Sequence, residues 1–164
     1  MSKSAEMEKA KAHLVHPPEI GTEEDPVTLV VMVKGVTRGA EYLKPFFNRI
    51  TLAVDAAGVT SRILVVKDSK EPTTFGVEET ILANGFGRRV SMLKIDDPPL
   101  HAKTYTYGIV AASSMGKFVL EIDASGSHHP EEINRFMEKA NTHDAVVATR
   151  FALSGGYINY PIQR

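Results

Sequence analysis

The chain has 164 residues, of which 43% are hydrophobic and 24% charged, which is typical of one soluble globular domain with a sizeable core. Its formal net charge of −1 provides no overall field that would attract nucleic acid, so we expect no nucleic-acid partner. The absence of cysteine excludes disulfides and thiolate metal sites, and no apolar run approaches the ~20 residues of a transmembrane helix.

Residues 1–26 differ from the rest of the chain and are interpreted as an N-terminal extension or linker. Their first part is rich in Lys, Glu and Ala and could form a short helix, whereas the second part contains several Pro and Glu residues. The segment lacks the apolar core of a secretory signal peptide. We therefore expect a cytoplasmic location.

From residue 27 onwards, short apolar runs alternate with segments of helical periodicity. The predicted strands are 27–33, 63–66, 90–95, 118–122 and 145–148, and the predicted helices are 39–57, 74–84, 100–115 and 130–140. Strict alternation of this kind predicts an α/β fold of three layers, with a mostly parallel sheet between two layers of helices.

The pattern stops at the last run, residues 150–164, which is rich in glycine and aromatic residues and contains no capping element. A sheet that closes in this way predicts that a C-terminal part is missing or that a protein partner covers the edge.

Charged residues collect where the predicted strands end. In open α/β sheets, ligands bind at the carboxyl ends of the strands. The candidates there are Lys34, Lys67, Asp68, Asp96, Asp97, Asp123 and Arg150. Carboxylates suit Mg²⁺ or Mn²⁺ held together with substrate phosphates, and the planar fork of arginine suits phosphate oxygens. The alternative for each aspartate is an ordinary turn or helix cap.

Several common nucleotide-binding and catalytic sites are excluded because the sequence lacks their motifs. The run 34–39 has the wrong glycine spacing for dinucleotide binding, and neither a Walker loop nor Gly-x-Ser-x-Gly occurs in the sequence. His128 and His129 form a tempting metal pair, but adjacent side chains usually point apart. The sequence favours a turn there over a zinc site.

Three matched segments carry a resemblance to a known family. They are Asp123-Ala124-Ser125-Gly126-Ser127-His128-His129-Pro130-Glu131, then Asp144-Ala145-Val146-Val147-Ala148-Thr149-Arg150-Phe151, and finally Asn159-Tyr160-Pro161-Ile162-Gln163-Arg164. In this order they resemble Asp-Ala-Asp-Leu-(Ser/Gln)-His-Pro-Pro-Glu, Asp-x-Val-x-Gly-(Ser/Thr)-Arg-Tyr and Asn-Trp-Pro-x-x-Arg. These motifs are typical of family-2 glycosyltransferases of the GT-A fold, in the dolichol-phosphate or polyprenol-phosphate mannosyltransferase branch. The likeness covers residues 27–164 and lacks the C-terminal part of the family domain.

The resemblance implies transfer of a mannose-like sugar from a GDP- or UDP-sugar to a lipid phosphate, which would bring the protein to a membrane surface. It places Mg²⁺ or Mn²⁺ at Asp123, Ser125 and Ser127. It also implies Asp68 at the nucleotide base or ribose, and Arg150 and Arg164 near phosphate. A metal would neutralise charge on the departing nucleotide.

The sequence also departs from the family pattern. Ser125 replaces the second aspartate of Asp-x-Asp, which weakens the metal site. Lysines stand at three other matched positions, Lys34, Lys67 and Lys103, where they could hold the diphosphate as point charges. Two hypotheses follow: a glycosyltransferase, or a catalytically inactive relative that serves as a binding or structural subunit of an assembly.

Overall fold

The computed structural model describes residues 14–15, 28–34, 40–68, 89–95, 101–125 and 127–149. The strands are β1 (Leu14–Val15), β2 (Leu29–Lys34), β3 (Ser61–Asp68), β4 (Val90–Ile95) and β5 (Phe118–Asp123). The helices are α1 (Ala40–Ala56), α2 (His101–Ser113) and α3 (Ile133–Ala140), and a short 3-10 helix, Pro130–Glu132, precedes α3.

The strands form one sheet in the order β1-β4-β3-β2-β5. Strands β2, β3, β4 and β5 are all parallel, whereas the two residues of β1 pair antiparallel with β4. The predicted mostly parallel α/β sheet is therefore confirmed. Leu14 and Val15, which fall in the predicted N-terminal extension, add a short strand beside β4.

Two apolar clusters lie on opposite faces of the sheet and make the fold three-layered. Alternate strand residues such as Val31 and Val65 pack against α1 and α3, in a cluster that includes Phe46, Phe47 and Met137. The intervening residues pack against α2 in a second cluster. Since every second residue of a strand points to the same face, strands buried on both faces are apolar almost throughout, as in β2.

Gly58 ends the turn that links α1 to β3. Its φ of +64° lies in the left-handed region, and a Cβ placed there would meet no atom within 4 Å. We expect Gly58→Ala to lower the free energy of unfolding by ~1–2 kcal/mol, because only the backbone conformation is strained. Thermal unfolding measures this loss. Gly58→Asn is the control, because asparagine tolerates this conformation and should cost less. An equal loss in both variants would contradict this explanation.

One predicted strand is wrong. Residues 145–148 form no strand and pair with no part of the described sheet, and Val147 is 85% exposed. The physical reason is that a short apolar run becomes a strand only when a neighbour supplies hydrogen-bond partners. The other predicted strands and the helices near 39–57, 100–115 and 130–140 are present. The predicted helix 74–84 lies outside the described residues.

Candidate functional site

The order of the strands creates a switch point between β2 and β5. The chain passes from β2 to β3 and β4 in one direction, and β5 then pairs with the opposite side of β2. Connections that leave the two strands in opposite directions open a crevice at their carboxyl ends, which is where ligands bind in sheets of this type. Lys34 and Asp123, the last residues of β2 and β5, are paired in register there. The fold therefore places Asp123 at the favoured ligand position.

The carboxylate of Asp123 is partly buried and organises the turn that follows it. Its Oδ1 accepts a hydrogen bond of 2.6 Å from the backbone N–H of Ser125. This bond is an Asx-turn, the ordinary role of an aspartate at a strand end. It uses one acceptor position of the carboxylate, which has about four. Asp123 can therefore hold the turn and still bind a cation.

His128 holds the same turn from its other end. Its Nδ1 accepts a hydrogen bond of 2.9 Å from the backbone N–H of Asp123. A ring nitrogen that accepts carries no proton, so Nδ1 is committed to the backbone. The neighbouring His129 is exposed, and no cluster of three or more His, Cys, Asp or Glu suited to a metal occurs among the described residues. His128 therefore takes part in the turn that the sequence predicts.

Two hydroxyls complete the polar surface of the turn. Ser125 Oγ and Ser127 Oγ lie 3.1 Å apart and share a hydrogen bond. Together with Asp123 they offer one carboxylate and two neutral oxygens, all of them hard ligands suited to Mg²⁺ or Mn²⁺. One carboxylate is sufficient when substrate phosphates supply further oxygens. The donor set therefore fits a cation that arrives with a diphosphate, and it provides less charge than two aspartates would.

An ion pair anchors the far end of this turn to α1. Arg49 Nε and a terminal nitrogen donate to the two carboxylate oxygens of Glu131 at 2.6 and 2.7 Å. These hydrogen bonds hold the pKa of Glu131 at about 2, below its ordinary 4.5, and they raise the pKa of Arg49. Pro130, beside Glu131, is buried. The chain after Asp123 is thus fixed at both ends.

The depressed pKa of Glu131 predicts a pH-dependent contribution to stability. We expect Glu131→Gln to be less stable than the natural protein above pH 4.5, and the difference to vanish as the pH falls towards 2, where Glu131 becomes protonated in the folded state. The loss should stay below ~1 kcal/mol, because both side chains are substantially exposed. Urea unfolding at several pH values measures it.

The control for this prediction is Arg49→Gln, which removes the same pair from the other side. The two single variants and the double variant should lose the same amount, since each breaks one interaction. A difference that persists unchanged at pH 2 would contradict the assignment to this ion pair.

The other predicted site residues divide into three groups. Lys67 lies half-buried at the carboxyl end of β3, beside β2. The backbones of Lys34 and Asp68 end β2 and β3, and Lys103 lies in the first turn of α2, but their side chains lie outside the described part of the structure. Asp96, Asp97, Arg150 and Arg164 also lie outside it. The structure thus brings Asp123, Ser125 and Ser127 together and places the backbone end of β2 beside them.

Sequence reasoning missed the residues that support the site. Arg49 and Glu131 are separated by 82 positions, and no local pattern marks their pairing. The bond from Asp123 to His128 was also missed, although both residues lie in the matched family motif.

Comparison with known proteins gives a partial similarity. A segment of 46 residues is 39% identical to an undecaprenyl-phosphate mannosyltransferase of Micrococcus luteus. The segment covers 28% of this chain and 19% of the relative. No family model matches the chain. In the part of the chain that the structure describes, no helix has the length and apolar character needed to cross a membrane.

Proposed function

We propose that this chain is a glycosyltransferase-like domain of the GT-A type. It would bind a GDP- or UDP-sugar and transfer a mannose-like sugar to a polyprenol-phosphate acceptor. The observation that carries the proposal is the position of Asp123 at the switch point of a Rossmann-like sheet. The partial similarity to a mannosyltransferase supports the coarser statement that the chain is glycosyltransferase-like.

In this proposal the turn after β5 holds the donor diphosphate. Asp123 is kept in place by the Ser125 N–H and by the backbone bond to His128, so its remaining carboxylate lone pairs face a ligand without further reorganisation. Ser125 and Ser127 would supply neutral oxygens. A bound Mg²⁺ or Mn²⁺ would supply charge neutralisation for the departing nucleotide.

In the family that the sequence resembles, a second aspartate helps to hold the metal cation. In this chain, lysines at the strand ends would supply positive charge in its place. Lys67, and Lys34 and Lys103 by their positions in the chain, would hold phosphate oxygens as point charges. A phosphate acceptor is already ionised at neutral pH, so the transfer requires little help from a general base. Arg150 and Arg164 are proposed near phosphate on the family resemblance alone.

The experiment is a thermal-shift titration with GDP- and UDP-sugars, with and without Mn²⁺. A ligand at 100 times its dissociation constant should add ~2.7 kcal/mol to the free energy of unfolding. The proposal predicts a shift with one nucleotide class that is larger with Mn²⁺ and is lost in Asp123→Asn. Glu138→Gln removes an exposed carboxylate on α3, outside the matched segments, and is the control. No shift with any nucleotide sugar would contradict the donor site.

A second candidate is a non-catalytic relative that retains the fold and serves as a binding or structural subunit. The observation that favours it is the pair of hydroxyls at Ser125 and Ser127, which bond to each other where a charged ligand would hold the metal. Incubation with a nucleotide sugar and a polyprenol phosphate, followed by mass spectrometry of the lipid, separates the candidates. Glycosylated lipid supports the enzyme, and nucleotide binding without product supports the relative.

A further inference from the structure

The two ring nitrogens of His128 have different roles. Nδ1 accepts the backbone N–H of Asp123 at 2.9 Å, so Nδ1 carries no proton. In a neutral imidazole one nitrogen is a donor and the other an acceptor, and the bond at one nitrogen decides the state of the other. The proton is therefore on Nε2, and His128 offers an N–H donor there.

This N–H donor is accessible to a ligand. His128 is half-buried, and its Nε2 is not one of the buried polar atoms without a partner in the described part of the chain. Among the contacts of the described residues, His128 takes part in no hydrogen bond except the one from Asp123. The Nε2–H group is therefore free to donate to an oxygen atom of a bound molecule.

The position of His128 relative to the sheet indicates which part of a ligand this donor reaches. The N–H of Phe118 donates to the carbonyl oxygen of Thr28, on the β2 side of β5. Consecutive N–H groups of a strand point to alternate sides, so the N–H of Asp123, an odd number of positions later, points away from β2. His128 accepts that N–H and therefore lies beside the outer edge of β5.

A nucleotide sugar that lies along the strand ends would bring its sugar to this edge. This step rests on the proposed function, in which the cation of the diphosphate binds at Asp123. The family resemblance places the nucleotide at Asp68, the last residue of β3, and the strands follow in the order β3-β2-β5. The nucleotide and the sugar are attached to opposite ends of the diphosphate. The sugar therefore extends past Asp123 to the side of β5 where His128 lies.

We propose that His128 is a sugar-binding residue whose Nε2–H donates a hydrogen bond to a hydroxyl oxygen of the transferred sugar. A sugar hydroxyl can accept such a bond. The bond from Asp123 to Nδ1 fixes both the orientation of the ring and the nitrogen that carries the proton. A fixed donor discriminates against a sugar that lacks the matching hydroxyl, because the donor is then left without a partner.

The direct test compares a nucleotide sugar with its nucleotide in His128→Asn. The amide oxygen of asparagine is bonded to Cγ, as Nδ1 is, so it can accept the Asp123 N–H, but the variant has no donor in the place of Nε2. Calorimetric titrations use GDP-mannose with GDP and UDP-glucose with UDP, all in Mn²⁺. We expect the nucleotide sugar that binds to lose about threefold to tenfold in affinity, as is typical of one neutral hydrogen bond. The nucleotide alone, and Mn²⁺ alone, should bind as they bind the natural protein.

Two further variants make this result specific. His129→Asn makes the same substitution at the neighbouring, exposed histidine and should bind the nucleotide sugar as the natural protein does. His128→Leu removes the acceptor and the donor together, so it should also lose affinity for Mn²⁺, since partners that orient a metal ligand affect metal binding. An equal loss in His129→Asn and His128→Asn would overturn the proposal.

The titrations separate this inference from the proposed function. Equal losses for nucleotide and nucleotide sugar in His128→Asn would assign the donor to a phosphate oxygen and overturn the sugar contact. Unchanged affinity for the nucleotide sugar would also overturn it and leave the proposed function intact. If the natural protein bound neither nucleotide sugar, the proposed function itself would be contradicted, and this inference with it.

Two other measurements identify the groups that form the bond. Nitrogen NMR of the His128 ring at alkaline pH should show the proton on Nε2, and a proton on Nδ1 would overturn the proposal. Derivatives of the bound nucleotide sugar that each lack one hydroxyl identify the acceptor. The derivative without the bonded hydroxyl should bind the natural protein and His128→Asn equally. A loss in His128→Asn that persists with every derivative would overturn the assignment to a hydroxyl.

Discussion

Replacing Ser125 with aspartate should tighten Mn²⁺ binding by about tenfold to a hundredfold, because it adds a charged oxygen ligand to the site. Ser125 follows Asp123 by two residues in a turn already closed by the bond from Ser125 N–H to Asp123 Oδ1. A carboxylate at this position would complete a two-aspartate site. Isothermal titration with Mn²⁺ and a nucleoside diphosphate measures the gain.

The same substitution should destabilise the protein when metal is absent. Two carboxylates in one turn repel each other when no cation lies between them. We therefore expect Ser125→Asp to have a lower Tm than the natural protein in a chelator and a larger rise in Tm on addition of Mn²⁺. A structural effect alone would lower Tm in both conditions.

Two controls make this result specific to the site. Asp123→Asn should reduce Mn²⁺ binding, because asparagine can still accept the Ser125 N–H bond but carries no charge. Asn141→Asp adds the same charge at an exposed position after α3 and should leave Mn²⁺ binding unchanged. Equal tightening by Asn141→Asp and Ser125→Asp would show that net charge, and not the turn, governs the metal.

The second large effect concerns Gly108, where α2 lies against the sheet. A Cβ at this position would be 2.6 Å from Met32 Sδ and 2.9 Å from Val66 Cγ2, both too close without movement. Gly108→Ala should therefore lower the free energy of unfolding by ~1–3 kcal/mol, as overpacking does, even though alanine favours helix. Urea unfolding measures the loss.

A double-mutant cycle with Met32 tests the stated contact. Met32→Ala alone should cost ~2–5 kcal/mol, because Met32 is fully buried. In the double variant the new methyl group occupies space that the methionine vacates, so the combined loss should be smaller than the sum by at least ~0.5 kcal/mol. Strict additivity would contradict the close approach of α2 and β2 at this point.

The fold was predictable from sequence wherever the residues of one segment are sufficient to determine its secondary structure. Strand β2 is apolar at nearly every position because both of its faces are covered. Gly58 indicates the end of α1 because glycine readily adopts the positive φ that it has there. The run 145–148 shows the limit of such reasoning. Its composition favours a strand, but pairing depends on a neighbour that the sequence of the run does not specify.

The candidate site was predictable only in part for the same reason. Asp123 could be identified because it ends an apolar run, but its importance depends on the strand order, which places β5 beside β2. Contacts such as Arg49 with Glu131 join positions that are far apart in the chain.

The most direct test of the proposed donor site is paramagnetic broadening of amide NMR signals by Mn²⁺ in the presence of a nucleotide sugar. We expect the signals of Ala124, Ser125 and Ser127 to broaden first, and those of Leu29 and Phe118, at the opposite ends of β2 and β5, to broaden last. Preferential broadening at that opposite edge, or no nucleotide-dependent broadening at all, would contradict a metal-dependent donor site at Asp123.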